Sequence, residues 1–140
     1  MMDPRLFPSK VIDHPNGNVM HALKKSDSGF VGFGEAYFSI IAFNKTKGWK
    51  RHKKMTMNLL VPVGKIKIVL IDDRDYATSP KIIEHELSSN PYQRLYVPPM
   101  IWMGFQGISM SDSMLLNVAS IEHDPQETDS KELGEFDYLW

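Results

Sequence analysis

Three residues that could bind an anion or move a proton, Lys50, His52 and Lys54, recur at every second position of one short stretch. Successive side chains of a β-strand point to opposite faces, so these three would share one side of a strand. A histidine at such a position can act as a base, and a row of cations can bind a phosphate. A solvated, lysine-rich edge strand that discourages edge pairing is the alternative interpretation of the same pattern.

Charge is unevenly distributed along the chain. Eight lysines and arginines and no acidic residue lie between Glu35 and Asp72, whereas the charged residues from Glu122 to Asp137 are mostly acidic. The whole chain has a formal net charge of −1. This balance gives no support for nucleic-acid binding, and nucleic acid is not an expected partner.

Short β-strands are the elements that would position these residues. Runs rich in aromatic and β-branched residues are separated by frequent turn signals. Gly64 and Lys65 read as the turn of a hairpin that joins the basic stretch to the next strand. The pattern predicts an all-β sandwich or barrel. The predicted strands lie at residues 10–13, 19–25, 35–43, 66–71, 81–87, 93–97 and 113–121.

Length and composition predict one domain covering residues 1–140, of which 42% are hydrophobic. Residues 1–18, with several prolines, read as an irregular arm, and residues 124–140 read as an acidic tail. The chain has no cysteine, which excludes thiolate catalysis and cysteine–zinc sites. Without an apolar leader or a bilayer-spanning stretch, we expect a cytoplasmic protein that does not insert into a membrane.

Several short motifs follow one another in a specific order, and together they resemble the sugar-nucleotide branch of the cupins. That branch includes the dTDP-4-dehydrorhamnose 3,5-epimerases and the dTDP-4-keto-6-deoxyhexose 3,4-ketoisomerases. The resemblance implies a cupin jelly-roll barrel or sandwich that forms a homodimer, with the N-terminal segment at the interface. The motifs are Lys47–His52 (KGWKRH), Gly64–Arg74, Ser79–Pro80, Leu87–Asn90, Leu95–Pro99, Trp102–Phe105 and Asn117–Ser120.

The first motif resembles the family's R-G-x-H-x-H, and its departures concern catalysis. His52 matches the last histidine, whereas Lys50 replaces the first histidine and Lys47 replaces the arginine. Met103 stands at the histidine of the family's A-H-G-F motif, and Asn117 stands at the tyrosine that serves the epimerases as an acid. The usual 3,5-epimerase residues are therefore absent at these positions.

The resemblance and the residue types together indicate which residues are catalytic and which bind the substrate. We expect His52 and Lys50 to be catalytic, with Lys50 acting either as a base or as a cation that holds a pyrophosphate. Arg74 suits a diphosphate because its guanidinium can donate two parallel hydrogen bonds, although an ion pair with Asp72 or Asp73 is the alternative. Trp102 is expected to stack on a base or sugar, or else to belong to the core. The expected substrate-binding residues are Lys47, Lys54, Arg74, Trp102 and Asn117.

No metal or other cofactor is expected. Metal cupins use two histidines with a nearby carboxylate and a later histidine, whereas His52 has no second histidine beside it. No acidic residue lies between Trp49 and Ile71 that could complete a ligand set.

The predicted function is that of a nucleotide-sugar epimerase or ketoisomerase acting on an NDP-4-keto-6-deoxy sugar in surface-polysaccharide biosynthesis. Its chemistry would be proton transfer next to a ketone, which needs a base and a donor or cation for the oxyanion. The alternative is a catalytically silent cupin that binds a sugar or nucleotide sugar, or scaffolds glycan assembly. The missing histidines and tyrosine favour this alternative.

Overall fold

Two antiparallel five-stranded sheets make up the computed structural model, which describes residues 2–140. The predicted all-β sandwich is confirmed. In spatial order, the first sheet contains β1 (Arg5–Pro8), β9 (Gln93–Val97), β6 (Met57–Val63), β11 (Ser113–Ala119) and β4 (Glu35–Ile41). The second contains β12 (Thr128–Ser130), β5 (Thr46–His52), β10 (Trp102–Gly107), β7 (Lys65–Asp72) and β8 (Lys81–Ser88). A small separate sheet pairs β2 (Val11–Ile12) with β3 (Val19–Met20).

The main core lies between the two large sheets and follows from strand alternation. On β7, Ile66, Ile68 and Leu70 are fully buried in this core, where they join Leu59 of β6 and Leu95 of β9. Each such side chain contributes about 1.5–3 kcal/mol when it leaves water. The intervening β7 residues point to the other face of the second sheet.

A second apolar cluster covers that other face. Trp49 and Trp102 are buried there beside Val69 of β7. The chain end packs against them: the rings of Trp49 and Phe136 meet edge to face at 5.3 Å, and those of Trp49 and Trp140 lie 5.4 Å apart. The segment that reads as an acidic tail therefore also carries an apolar anchor.

The predicted hairpin around Gly64 is wrong. β6 pairs with β9 and β11 in the first sheet, whereas β7 pairs with β8 and β10 in the second. Gly64, with a φ of 80°, turns the chain from one sheet to the other. Both strands are interior strands of their sheets, and the length of the turn alone did not distinguish a hairpin from a corner between sheets.

The N-terminal arm contains a strand that the sequence did not reveal. β1 pairs with β9 at the edge of the first sheet. Its proline content obscured this strand, but proline is compatible with an edge position. Within residues 2–140 the only helices are two three-residue turns, Pro125–Glu127 and Leu133–Glu135, and neither is long enough to cross a membrane.

Gly104 is required where β10 passes beneath the aromatic cluster. A Cβ atom at this position would lie 2.8 Å from Trp140 and 3.0 Å from Trp49. We expect Gly104→Ala to lower the free energy of unfolding by about 1–3 kcal/mol through overpacking. Urea denaturation measures this effect. Gly134→Ala is the matched control because its Cβ would meet nothing within 4 Å, and equal losses for both variants would contradict the explanation.

Candidate functional site

A cavity of about 570 Å³ opens between the two sheets. This volume is within the range of small-molecule sites in proteins. Lys47, Lys50 and His52 of β5 line one wall, and Tyr37 of β4 and Asn117 of β11 line the other. Apolar side chains fill the remainder of the lining: Met57, Leu59, Met103, Phe105 and Leu115.

His52 forms a buried pair with Glu127. Alternation along β5 turns the His52 ring into the cavity, and the pairing of β12 with β5 brings Glu127 beside it. His52 Nδ1 is hydrogen-bonded to Glu127 Oε1, and the two residues are only 6% and 3% exposed. Glu127 Oε2 accepts hydrogen bonds from the amides of Lys54 and Met55, at 3.0 and 3.2 Å.

These hydrogen bonds determine the charge of Glu127. Burial by itself acts to raise the pKa of this carboxyl group, but the bonds from His52 and from the Lys54 and Met55 amides outweigh burial and hold the pKa below its ordinary value. Glu127 is therefore a carboxylate near neutral pH. It binds the Nδ1–H tautomer of His52, which leaves Nε2 as the ring nitrogen available to take a proton.

The opposite wall holds a second polar pair. Asn117 and Tyr37 lie directly across from each other on β11 and β4. Asn117 Nδ2 donates to the Tyr37 hydroxyl at 3.0 Å, and Asn117 itself is 3% exposed. A ligand in the cavity would thus have the His52 imidazole on one side and an amide–phenol pair on the other.

Charges of both signs surround the cavity. Lys47 and Lys50 are exposed and line it from β5, and Glu132 and Glu135 line it from the C-terminal segment. The cations can bind an anionic group, and the carboxylates can accept hydrogen bonds from hydroxyl groups. Among residues 2–140, no group of three or more potential ligand side chains is arranged to hold a metal ion, and the absence of a metal requirement stays a prediction.

Four of the predicted site residues meet in this cavity: His52, Lys50, Lys47 and Asn117. Lys54 does not, and its expected place beside Lys50 and His52 at the substrate site is wrong. β5 ends at His52, so strand alternation no longer applies at Lys54, and its side chain is exposed. Lys53 is also exposed, with its ammonium 3.6 Å from Asp129.

Arg74 and Trp102 do not line the cavity either. Arg74 forms the ion pair left open as the alternative, with Nε and Nη2 at 2.9 and 2.8 Å from the Asp72 carboxylate. Trp102 alternates away from the cavity to the outer cluster, where its indole N–H donates to Asp73 at 3.1 Å and Arg51 lies over its ring at 4.7 Å. Trp102 is therefore a buried core residue, which was the alternative interpretation from the sequence.

Two residues of the site, Glu127 and Tyr37, were not singled out from the sequence. Glu127 lies 75 positions after His52 within a run of acids that reads as a solvated tail. No spacing rule connects residues so far apart. Tyr37 did carry a signal, because Tyr37 and Ser39 alternate on a predicted strand and so share the face that lines the cavity.

The family model described as FdtA: WxcM-like, C-terminal matches residues 5–136. No curated protein matches the chain.

Solved structures similar to this chain include two sugar isomerases and one epimerase. A dTDP sugar isomerase from Desulfovibrio desulfuricans G20 is 32% identical with a TM-score of 0.89, over 94% of this chain and 85% of that chain. QdtA, a sugar 3,4-ketoisomerase from Thermoanaerobacterium thermosaccharolyticum in complex with TDP, is 26% identical with a TM-score of 0.74, over 91% and 87%. A dTDP-4-dehydrorhamnose 3,5-epimerase from Sulfolobus tokodaii, at 20% identity and a TM-score of 0.83 over 99% and 82%, shares the fold.

Proposed function

We propose that this chain, which belongs to the FdtA family described as WxcM-like, C-terminal, is a ketoisomerase of nucleotide-linked 4-keto-6-deoxy sugars. The observation that carries the proposal is the buried His52–Glu127 pair at the wall of a cavity of about 570 Å³. The similar dTDP sugar isomerase and QdtA support the substrate class.

The reaction is a proton transfer between neighbouring carbons. His52 Nε2 removes the proton from the hydroxyl-bearing carbon next to the ketone, and the electron pair moves onto the carbonyl oxygen to give an enediolate. The proton of the neighbouring hydroxyl group then passes to the former carbonyl oxygen. The imidazolium then returns its proton to the former carbonyl carbon, so the ketone and the hydroxyl exchange places. Glu127 stabilises the imidazolium while it exists.

Isomerisation suits this site better than 3,5-epimerisation. Epimerisation removes a proton on one face and returns one on the opposite face, which requires an acid across the cavity from the base. Asn117 stands where the resembled epimerases have their acidic tyrosine, and an amide does not release a proton, so Tyr37, the phenol that lines that wall, would have to serve as the acid instead. An isomerisation that returns the proton to the face from which it was removed needs only the base on β5.

Product analysis tests the proposal. TDP-4-keto-6-deoxyglucose is incubated with the protein, and the sugar is followed by NMR. Movement of the ketone from C4 to C3 supports the ketoisomerase. A ketone that stays at C4 while a ring carbon inverts indicates an epimerase instead.

A catalytically silent nucleotide-sugar-binding cupin is the second candidate. It is favoured by one observation, that Lys50 and Met103 stand in the cavity where the resembled enzymes have histidines. In the same experiment, this candidate predicts an unchanged sugar that is nevertheless bound.

Lys50 binds the anionic part of the ligand in this proposal. We expect Lys50→Met to weaken TDP binding about tenfold, the effect of losing one hydrogen bond to a charged group. The difference should shrink as salt is raised, because salt screens the attraction. Titration calorimetry measures both effects. Lys53→Met is the control, because the Lys53 ammonium lies near Asp129 rather than in the cavity, and equal weakening by both variants would contradict the role of Lys50.

We further expect a homodimer, with the N-terminal segment contributing to the interface. β4 is an edge strand of the first sheet, and large apolar side chains are exposed on it and just before it, including Phe33 at 65% and Phe38 at 59%. Light scattering should give twice the chain mass of 16.1 kDa. A monomer mass at micromolar concentration would count against the dimer.

A further inference from the structure

Asn117, which lines the cavity, has a buried side-chain oxygen without a hydrogen-bond partner within residues 2–140. Among the residues that the structure describes, its Oδ1 is one of two buried side-chain polar atoms without a hydrogen-bond partner. Leaving a buried acceptor unpaired lowers stability or affinity, because the atom loses its contact with water and gains nothing in return. A ligand that donates a hydrogen bond to this oxygen would remove that cost.

The orientation of the amide follows from its other contacts. Nδ2 donates to the Tyr37 hydroxyl at 3.0 Å and points at the Met55 sulfur at 3.9 Å, so both N–H groups face acceptors. Reversing the amide would let Oδ1 accept from the Tyr37 hydroxyl, but it would also place Oδ1 against the Met55 thioether, which has no hydrogen to donate. Oδ1 is therefore the atom left without a partner.

The same hydrogen bond determines which hydrogen bond Tyr37 can make with a ligand. Its oxygen accepts a hydrogen bond from Asn117, so its own O–H hydrogen is free to donate elsewhere. Tyr37 is 39% exposed and lines the cavity. The cross-strand pair thus offers a ligand one donor, the Tyr37 O–H, beside one acceptor, Asn117 Oδ1.

We propose that Asn117 and Tyr37 form a subsite that recognises the α-hydroxy ketone of the sugar. The Tyr37 O–H donates to the ketone oxygen, and Asn117 Oδ1 accepts from the hydroxyl group on the adjacent carbon. This inference rests on the proposed function for its substrate, but recognition at the subsite needs no turnover.

The subsite also distinguishes the substrate from the product. Isomerisation exchanges the ketone and the hydroxyl, so the product would place its ketone oxygen against Asn117 Oδ1. Two acceptors then face each other, and the hydrogen bond made by the substrate is lost. The product is accordingly bound less tightly than the substrate, which assists its release.

A binding cycle tests the subsite. Affinities are measured by titration calorimetry in a His52→Asn background, which slows turnover, with and without Asn117→Leu. The probes are TDP-4-keto-6-deoxyglucose, its 3-deoxy analogue and TDP alone. With Asn117 present, the 3-hydroxyl should improve affinity about tenfold, the effect of one hydrogen bond to a buried acceptor. In the Asn117→Leu chain the two sugars should bind equally.

TDP alone should bind equally to both chains, which shows that the cavity is intact. Loss of affinity for TDP alone, or equal binding of the two sugars when Asn117 is present, would overturn the subsite. Tyr37→Phe is a second variant at a partly exposed position, where folding is at little risk. It should lower the affinity for the keto sugar and leave the affinity for TDP unchanged. An unchanged affinity for the keto sugar would also overturn the proposal.

Failure of the subsite is distinguishable from failure of the proposed function. If the wild-type protein converts the 4-keto sugar while the 3-hydroxyl makes no difference to binding, the ketoisomerase stands and the subsite does not. If the 3-hydroxyl improves affinity through Asn117 but no conversion occurs, the subsite stands within a silent binding protein.

Discussion

His52→Asn is expected to lower kcat for ketone migration by about 10³-fold, within the range for loss of a general base. The reason is geometric: His52 is the one imidazole that lines the cavity among residues 2–140, and Glu127 holds its Nδ1. Asparagine has no basic nitrogen to replace Nε2. Affinity for TDP should stay unchanged, because the charged groups assigned to the nucleotide lie elsewhere on β5.

Steady-state kinetics with calorimetry measures the two effects separately. His85→Asn is the matched control, because His85 lies on β8, away from the cavity, where burial lowers the pKa of its ring. It should retain the full kcat. A His52→Asn variant that turned over as fast as the control would remove His52 from the mechanism.

Glu127→Gln is expected to reduce kcat by about 10²-fold, because the neutral amide can no longer stabilise the imidazolium that forms during proton transfer. The variant should also be less stable by about 1–3 kcal/mol. Two backbone amides and His52 donate to the carboxylate of Glu127, and the amide group of glutamine turns a donor towards at least one of them. Kinetics and urea denaturation measure the two losses.

The stability of this pair should also depend on pH in a predictable direction. The pKa of Glu127 in the folded chain lies below its ordinary value. The ionised group therefore contributes stability above the unfolded-state pKa, and this contribution is lost as pH falls through the folded-state pKa. The wild-type free energy of unfolding should approach that of Glu127→Gln in acid. Parallel pH profiles for the two proteins would contradict the assignment.

Local alternation identified two residues of the site. The period of two along β5 predicted that Lys50 and His52 share the cavity face, and both line it. The same rule placed Lys54 incorrectly, because alternation is informative only while the strand continues, and β5 ends at His52. Strand ends depend on pairing partners that a local pattern does not contain.

The remaining features depend on contacts between distant parts of the chain. Glu127 reaches His52 only because β12 pairs with the edge of β5. The aromatic residues at the chain end cover a surface formed by Trp49 and Trp102. Nothing in the local sequence connects the chain end with that surface, and the residue types alone left both tryptophans open as either core or stacking residues.

Proton exchange with solvent tests the central claim most directly. TDP-4-keto-6-deoxyglucose is incubated with the protein in deuterated water, and deuterium at each sugar carbon is measured by NMR. Because the imidazolium can exchange its proton with solvent before it returns one to C4, the mechanism predicts a 3-keto product with deuterium at C4 from the wild-type chain and from His85→Asn but not from His52→Asn. A sugar that is bound yet keeps its ketone at C4 and gains no deuterium at any ring carbon would contradict the enzyme and leave a nucleotide-sugar-binding protein.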